Sequence, residues 1–370
     1  METMAFYWSI KMEPIKVGIV GFGRSGCGIH ASAIKDMRDM FDVVAIADFI
    51  PERRSHEAFP NAKPYASAEA LIADPNVEMV IVSTFNSMHA PVARMALKGG
   101  KHVLCEKPFG FTTADVDSMI AEAKAAGKVL QPFQQRRFEE DFQKVRSVIR
   151  SGILGKISYI QICWDGFGRR WDWQTSRQYG GGQLYNNMPH LVDHAMELFG
   201  DGEPEVQCMV ASSLSIGPAE DEVHLTLTGK DKPIIRAELM ATNPYARERW
   251  CVCGTNGGLH GGTKKLEWKY VDWSKMPKRV VDMTPLEGRV YCSEKLEWTT
   301  EAWEPVTAAD AGAGAKPAPG PTKQLYLSLY DAIRKGTPQL ITAEAVRRRI
   351  AVLEQCYKLN GIPFPEGVIL

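Results

Sequence analysis

The sequence predicts two domains of different build: a doubly wound α/β domain, then an α+β domain with an open, mostly antiparallel sheet. Three observations carry that reading. The first third of the chain alternates short apolar runs with helical stretches, as a parallel sheet covered on both faces requires. Beyond about Gln134, longer alternating strands follow one another with few helices between them. The length, 370 residues, suffices for two cores at roughly 100–200 residues each.

The apolar runs of the first domain are 15–21, 43–48, 78–84, 102–106 and 129–133, each rich in Val, Ile or Leu. Residues 90–98 and 113–126 read as amphipathic helices between them, the second capped by Thr113 with Asp115 matched to the helix dipole. The second domain is expected to open with a helix at 138–151 and a strand at 157–164. An aromatic and glycine-rich stretch and a helix at 190–199 come next, then strands at 205–212, 222–229, 233–242, 249–254 and 266–272. Residues 307–321, built from Ala, Gly and Pro, read as an exposed loop, and a helix at 343–359 closes the chain. The implied division is 1–135, 136–340, and a C-terminal helix and tail, 341–370, packing back near the first domain.

Forty-four basic and 44 acidic side chains cancel, so the chain lacks the basic surplus of a nucleic-acid binder. No stretch approaches the ~18 uninterrupted apolar residues of a membrane helix. The N-terminal residues, with Glu2 near the start, show no apolar run leading to a cleavage site, so secretion is not expected. Eight cysteines are too sparse for a disulfide framework and fit reduced thiols. The expectation is a cytoplasmic protein that acts on a small molecule.

The run Gly21-Phe22-Gly23-Arg24-Ser25-Gly26 directly follows the first strand and opens the first helix. In that context Gly21 permits a tight turn, Gly23 lets backbone approach a pyrophosphate, and Gly26 allows close helix–strand packing. The helix N-terminus supplies N–H groups and a positive dipole end for phosphates. A glycine-rich turn without a ligand is the plainer reading, and the strand–turn–helix context weighs against it. Asp48, ending the second strand, suits the ribose hydroxyls and would repel a 2′-phosphate, which favours NAD over NADP. Arg53 and Arg54 are the residues that could reverse this. The first domain is therefore read as a Rossmann domain.

Further along stand Cys105-Glu106-Lys107-Pro108, preceded by Gly99-Gly100-Lys101-His102-Val103-Leu104, and Ser83-Thr84-Phe85-Asn86-Ser87-Met88-His89. Later come Gly180-Gly181-Gly182, His190 and Asp193, and the turn Gly254-Thr255-Asn256-Gly257-Gly258-Leu259. Over nearly the whole chain these resemble the glucose–fructose oxidoreductase / inositol dehydrogenase (Gfo/Idh/MocA) family. The resemblance implies a sugar, polyol or glycoside held in the cleft between the domains beside a nicotinamide. It also implies a homo-oligomer that pairs second-domain sheets. The expected cofactor contacts are Gly21, Phe22, Gly23, Arg24, Ser25, Gly26, Asp48, Thr84, Asn86, His89, Glu106 and Lys107.

Lys107 ends a strand at the edge where open α/β sheets bind ligands. An ammonium there can stabilise an alkoxide and relay a proton; the rival is a surface lysine paired with Glu106. Relatives place an aspartate four residues before the histidine, where this chain has Asn186. An amide exchanges no proton, so His190, with an ordinary imidazole pKa near 6.5, becomes the expected general base and Asn186 an orienting group. His194 reads as a packed side chain. A zinc reading of His190-Leu191-Val192-Asp193-His194 lacks a third ligand set by spacing, and no metal is expected. Cys251 and Cys253 are read as core.

Residues 164–179 hold three tryptophans and three arginines, whose flat faces and forked donors suit sugar rings and hydroxyls. Trp164, Arg169, Arg170, Trp171, Trp173 and Tyr179, with Arg136, Asn186 and His190, form the expected substrate set, an oligomer interface being the competing use. Arg137 is a further cleft candidate, and it or Arg136 could equally cap structure at the domain junction. The expected function is NAD-dependent oxidation of a secondary hydroxyl of a sugar, polyol or glycoside. The alternatives are glycoside processing with tightly held NAD used transiently and non-catalytic NAD sensing, against which Lys107 and His190 argue.

Overall fold

A computed structural model describes residues 12–305 and 319–365. Residues 1–11, 307–318 of the expected exposed loop, and the tail 366–370 lie outside the described residues.

Strands β1 (Ile15–Val20), β2 (Phe41–Ala47), β3 (Lys63–Tyr65), β4 (Met79–Val82), β5 (His102–Cys105) and β6 (Leu130–Pro132) form one parallel sheet. Their order is β3-β2-β1-β4-β5-β6, so the chain changes direction across the sheet between β1 and β4. A crevice opens there, outside the carboxyl ends of the strands. Met79, Val80, Ile81 and Val82 of β4 are all fully buried, which is why that run is apolar at every position. Helices α1 (Gly26–Ala31, running on as Ser32–Lys35), α2 (Ala68–Ile72), α3 (His89–Lys98) and α4 (Thr113–Ala126) belong to this domain. The cap of α4 is Thr112, one residue before the expected Thr113. Thr112 and Asp115 each accept the other's backbone N–H in a reciprocal capping box.

The second domain holds α5 (Glu140–Arg150), β7 (Ile157–Asp165), α6 (Gln183–Asn186) and α7 (Met188–Phe199). It continues with β8 (Glu205–Ala211), β9 (Glu222–Thr228), β10 (Ile234–Met240), β11 (Trp250–Gly254), β12 (Gly257–Gly261), β13 (Leu266–Val271) and β14 (Trp298–Trp303). They form a sheet in the order β14-β13-β12-β11-β7-β10-β9-β8. β7 and β10 pair in parallel and the other neighbours antiparallel. One face buries Ile160, Ile162, Leu225 and Ala237 beneath helices; Trp250 of β11 donates its indole N–H to Asp141 of α5 at 2.8 Å. The other face is polar, with Arg247 bound to Asp165 at 2.7 Å and to Glu238 at 2.6 Å. Cys251 and Cys253, expected in the core, are on that face, half-buried and exposed. Alternation along β11 turns Trp250 and Val252 inward and the two thiols outward.

Two helices follow: α8 (Pro321–Lys335) and α9 (Ala343–Leu359). α8 falls in the span 136–340 yet lies on the first domain. Tyr326 packs edge-on against Phe41 at 5.2 Å, and Arg334 pairs with Glu78 at 3.1 Å. α9 touches α4 of the first domain and α7 and β8 of the second. The joint is a buried charge cluster: Asp193 of α7 accepts from Arg137 Nε at 3.0 Å and from Arg349 Nε of α9 at 3.1 Å.

Removing that carboxylate leaves two buried guanidiniums short of a partner. Asp193→Ala should therefore cost about 3–5 kcal/mol of unfolding free energy in urea titrations; a loss under about 1 kcal/mol would show the cluster to be incidental. The arginines hold the Asp193 carboxyl below the ordinary aspartate range although burial opposes this. A depressed folded-state value gives stability that is full above about pH 5 and drains as pH falls toward it.

Candidate active site

Gly21 ends β1 with φ 86°, and a Cβ there would lie 2.6 Å from the Ser83 carbonyl oxygen. A Cβ on Gly26 would lie 2.2 Å from the Gly21 carbonyl oxygen, so these two glycines let the turn and α1 close on each other. Above Gly23 a Cβ would meet only Arg53 Nη1, at 3.7 Å, which leaves its backbone open to the crevice. Asp48 Oδ2 accepts from Phe22 N at 2.7 Å and Oδ1 from Ile50 N at 2.9 Å, fixing the carboxylate at the crevice wall. Arg54 is tied to the backbone oxygens of Asp48 and Phe49, whereas Arg53 lines the crevice. The open backbone, the helix start and the fixed acid fit a dinucleotide, and the cleft of about 950 Å³ running from Asp48 to His190 has room for one.

At the far end of that cleft Lys107 follows β5, and its peptide bond to Pro108 is cis. The Lys107 ammonium donates to the Asn186 backbone oxygen at 2.8 Å and to Asn186 Oδ1 at 3.1 Å. The Asn186 amide in turn donates to Gln174 Oε1 at 3.1 Å. Buried Glu106 accepts from Lys107 N at 2.9 Å, and its other oxygen is 3.4 Å from His30 Nε2. His30 Nδ1 is 2.8 Å from the Tyr326 hydroxyl of α8. His190 sits in the first turn of α7, its Nδ1 3.4 Å from the Gln134 amide nitrogen, which also donates to Pro189 O at 3.1 Å.

Burial, then the Lys107 and Arg136 charges, push the His190 imidazole well below 6.5. The ordinary imidazole expected from sequence is thus corrected. Burial also lowers the Lys107 pKa, with Glu106 opposing.

The aromatic segment divides. The guanidiniums of Arg136 (4.7 Å) and Arg249 (4.8 Å) lie over the Trp164 ring, with the His190 ring 6.4 Å away. Trp164, Arg136, Arg170 and Trp173 line the cleft. Trp171 and Arg169 are exposed away from it, and Tyr179 packs on Phe85 at 4.6 Å. Of the expected cofactor contacts, Thr84 faces the cleft, but Asn86 and His89 do not. The Asn86 amide donates to Gly180 O at 2.8 Å, and both His89 ring nitrogens face carbonyls, of Pro108 (2.8 Å) and Thr84 (3.2 Å). Both instead hold the loops that wall the cleft. Arg137 is spent on Asp193, and the His194 ring stacks on Phe142 at 4.0 Å. Gln134, Gln174, His30 and Tyr326 were not singled out from sequence. Gln174 lies inside the flagged aromatic segment; the other three have no local pattern.

Residues 15–134 match the model of the oxidoreductase family with an NAD-binding Rossmann fold, and residues 142–260 match the Gfo/Idh/MocA C-terminal domain. The chain belongs to the Gfo/Idh/MocA oxidoreductase family. An uncharacterized oxidoreductase of Schizosaccharomyces pombe is 30% identical over 262 residues, 67% of this chain and 71% of that protein. The scyllo-inositol 2-dehydrogenase (NADP(+)) of Bacillus subtilis is 29% identical over 219 residues, 59% of this chain and 60% of its own length. An NAD-binding protein of Listeria innocua shares the Gfo/Idh/MocA fold, with TM-score 0.75 at 24% identity over 95% of this chain and 98% of that one.

Burial, then the neighbouring cations, favour the neutral form of the His190 imidazole. NMR titration of the ring should place its midpoint below the ordinary histidine value. Asn186→Asp, which sets a carboxylate against Lys107, should raise the midpoint; an unchanged midpoint would place Asn186 outside the field of the ring.

Proposed function

We propose that this oxidoreductase removes a hydride from a secondary hydroxyl carbon of a sugar, polyol or glycoside, with NAD as acceptor. The convergence of Lys107, Asn186 and His190 on the cleft that continues from the dinucleotide crevice carries this reading. When bound, the nicotinamide supplies the hydride acceptor. The substrate loses that hydride from carbon and a proton from oxygen, and becomes a ketone.

Lys107 would donate to the reacting oxygen and stabilise its developing charge. That acidifies the hydroxyl, so a weakly basic, unprotonated His190 suffices as proton acceptor. Asn186 holds the ammonium from two sides and, having no proton to exchange, acts by orientation. Trp173, which lines the cleft, offers an indole to a ring. Inositol dehydrogenation by a relative supports a polyol or sugar. For the cofactor we favour NAD, because the Asp48 carboxylate, fixed at the crevice wall, would repel a 2′-phosphate, although the Bacillus relative is named for NADP(+) and Arg53 lines the same crevice. The polar face of the second sheet is our candidate for pairing two copies of the chain.

Purified protein with a panel of sugars, polyols and glycosides should produce NADH; absence of NADH or NADPH with every substrate would end the reading. Lys107→Ala and His190→Ala should each lower kcat about 10²–10⁴-fold while leaving NAD affinity nearly unchanged. Losses under about tenfold would remove the residue from the chemistry. Asp48→Ser should shift kcat/KM toward NADP, and wild-type protein that already favours NADP would show Arg53 overriding the carboxylate.

A further inference from the structure

The charges around the proposed reaction site do not balance. Lys107, Arg24, Arg136, Arg170 and Arg249 surround it, against Glu106, Glu139 and Asp172. Residue 186 is a neutral amide, and burial among these cations disfavours a charge on His190. Cations outnumber carboxylates before any oxidised nicotinamide adds its own.

The donors are unspent as well. Arg136 and Arg249 share one carboxylate, Glu139, and both lie over the Trp164 ring. Arg136 Nε and Arg249 Nε and Nη2 are buried without a hydrogen-bond partner among the described residues. Arg136 uses Nη1 on Glu139 and, as a cleft-lining side chain, keeps Nη2 unengaged among the described residues. Arg170 binds Asp172 through Nη2 at 2.7 Å, which leaves its Nε and Nη1 uncommitted at the cleft. The donors that the cleft can offer an anion are therefore Arg136 Nη2 and Arg170 Nε and Nη1, since Arg136 and Arg170 line it and Arg249 does not.

We propose that the substrate is an acidic sugar or polyol whose carboxylate, near the hydroxyl that is oxidised, is bound by Arg136 with help from Arg170. This rests on the hydride-transfer reading for the hydroxyl, but the anion site stands on the charges alone. A guanidinium fork matches the two coplanar oxygens of a carboxylate.

Binding separates this inference from the reading it rests on. In calorimetry on NADH-saturated protein, where no oxidation can occur, D-glucuronate, D-galacturonate or D-gluconate should bind at least about tenfold tighter than D-glucose, D-galactose or D-sorbitol. Raising the salt from 50 to 500 mM should narrow the gap, and Arg136→Gln should shrink the acid-to-neutral affinity ratio about tenfold. Equal affinity for acids and neutral sugars, or preference for glucose 6-phosphate, would overturn the proposal. If acids bind selectively but no acid yields NADH with added NAD, the anion site stands and the hydride-transfer reading falls. If neutral sugars are oxidised as well as acids and bind as tightly, the reading stands and the anion site falls.

Discussion

The Lys107 ammonium spans the join between the domains, donating to both the backbone and side-chain oxygens of Asn186. Its own backbone is fixed from beneath by Glu106, and Asn186 is fixed from the other side by Gln174. The cleft between Rossmann sheet and second domain therefore has a defined width at one point. Around that point the other groups take their character. His190 is weakly basic because it is buried beside this cation, and the neutral amide at 186 adds no negative charge beside the one Glu106 supplies. A carboxylate at 186 would have made a self-sufficient ion pair; the amide leaves part of the electrostatics to whatever occupies the cleft.

The cofactor end was legible because its signals are local. A strand, a turn whose glycines meet carbonyls at under 3 Å, and a helix start lie within a dozen residues, and Asp48 follows at the next strand end. At the other end of the cleft the sequence singled out Lys107, Asn186 and His190, which the structure brings together, but not their character. Nothing in the sequence around His190 announces that Lys107 and Arg136 lie close by, so its proton affinity could not be read. Asn86 and His89 were misplaced for the opposite reason: polar residues beside a binding loop look like contacts, yet theirs are with carbonyls inside the walls. β12 hid in a glycine-rich turn, where Gly257 leaves room for the Lys269 carbonyl oxygen 2.0 Å from where its Cβ would stand. β14 buries too little to alternate clearly, and α8 begins just beyond the Ala-, Gly- and Pro-rich stretch.

Asp193 illustrates how one residue type reads differently in place. In sequence it sits between two histidines and invites a ligand interpretation. In the fold its oxygens face Arg137 and Arg349, and the pairing decides where the last helix docks. Charge that could have served chemistry serves instead to register α9 against both domains.

That docking has a temporal side. The Rossmann sheet is complete in sequence when β6 ends at Pro132, but the aromatic partner of Phe41 and the hydroxyl that meets His30 belong to Tyr326 of α8. A chain emerging from the ribosome therefore exposes that patch while the whole second domain is still being made. Synthesis at about 5–20 residues per second keeps it open for roughly ten seconds or more. The Rossmann domain is thus finished only after the second domain has been made, and until α8 arrives its apolar patch stays open to other contacts.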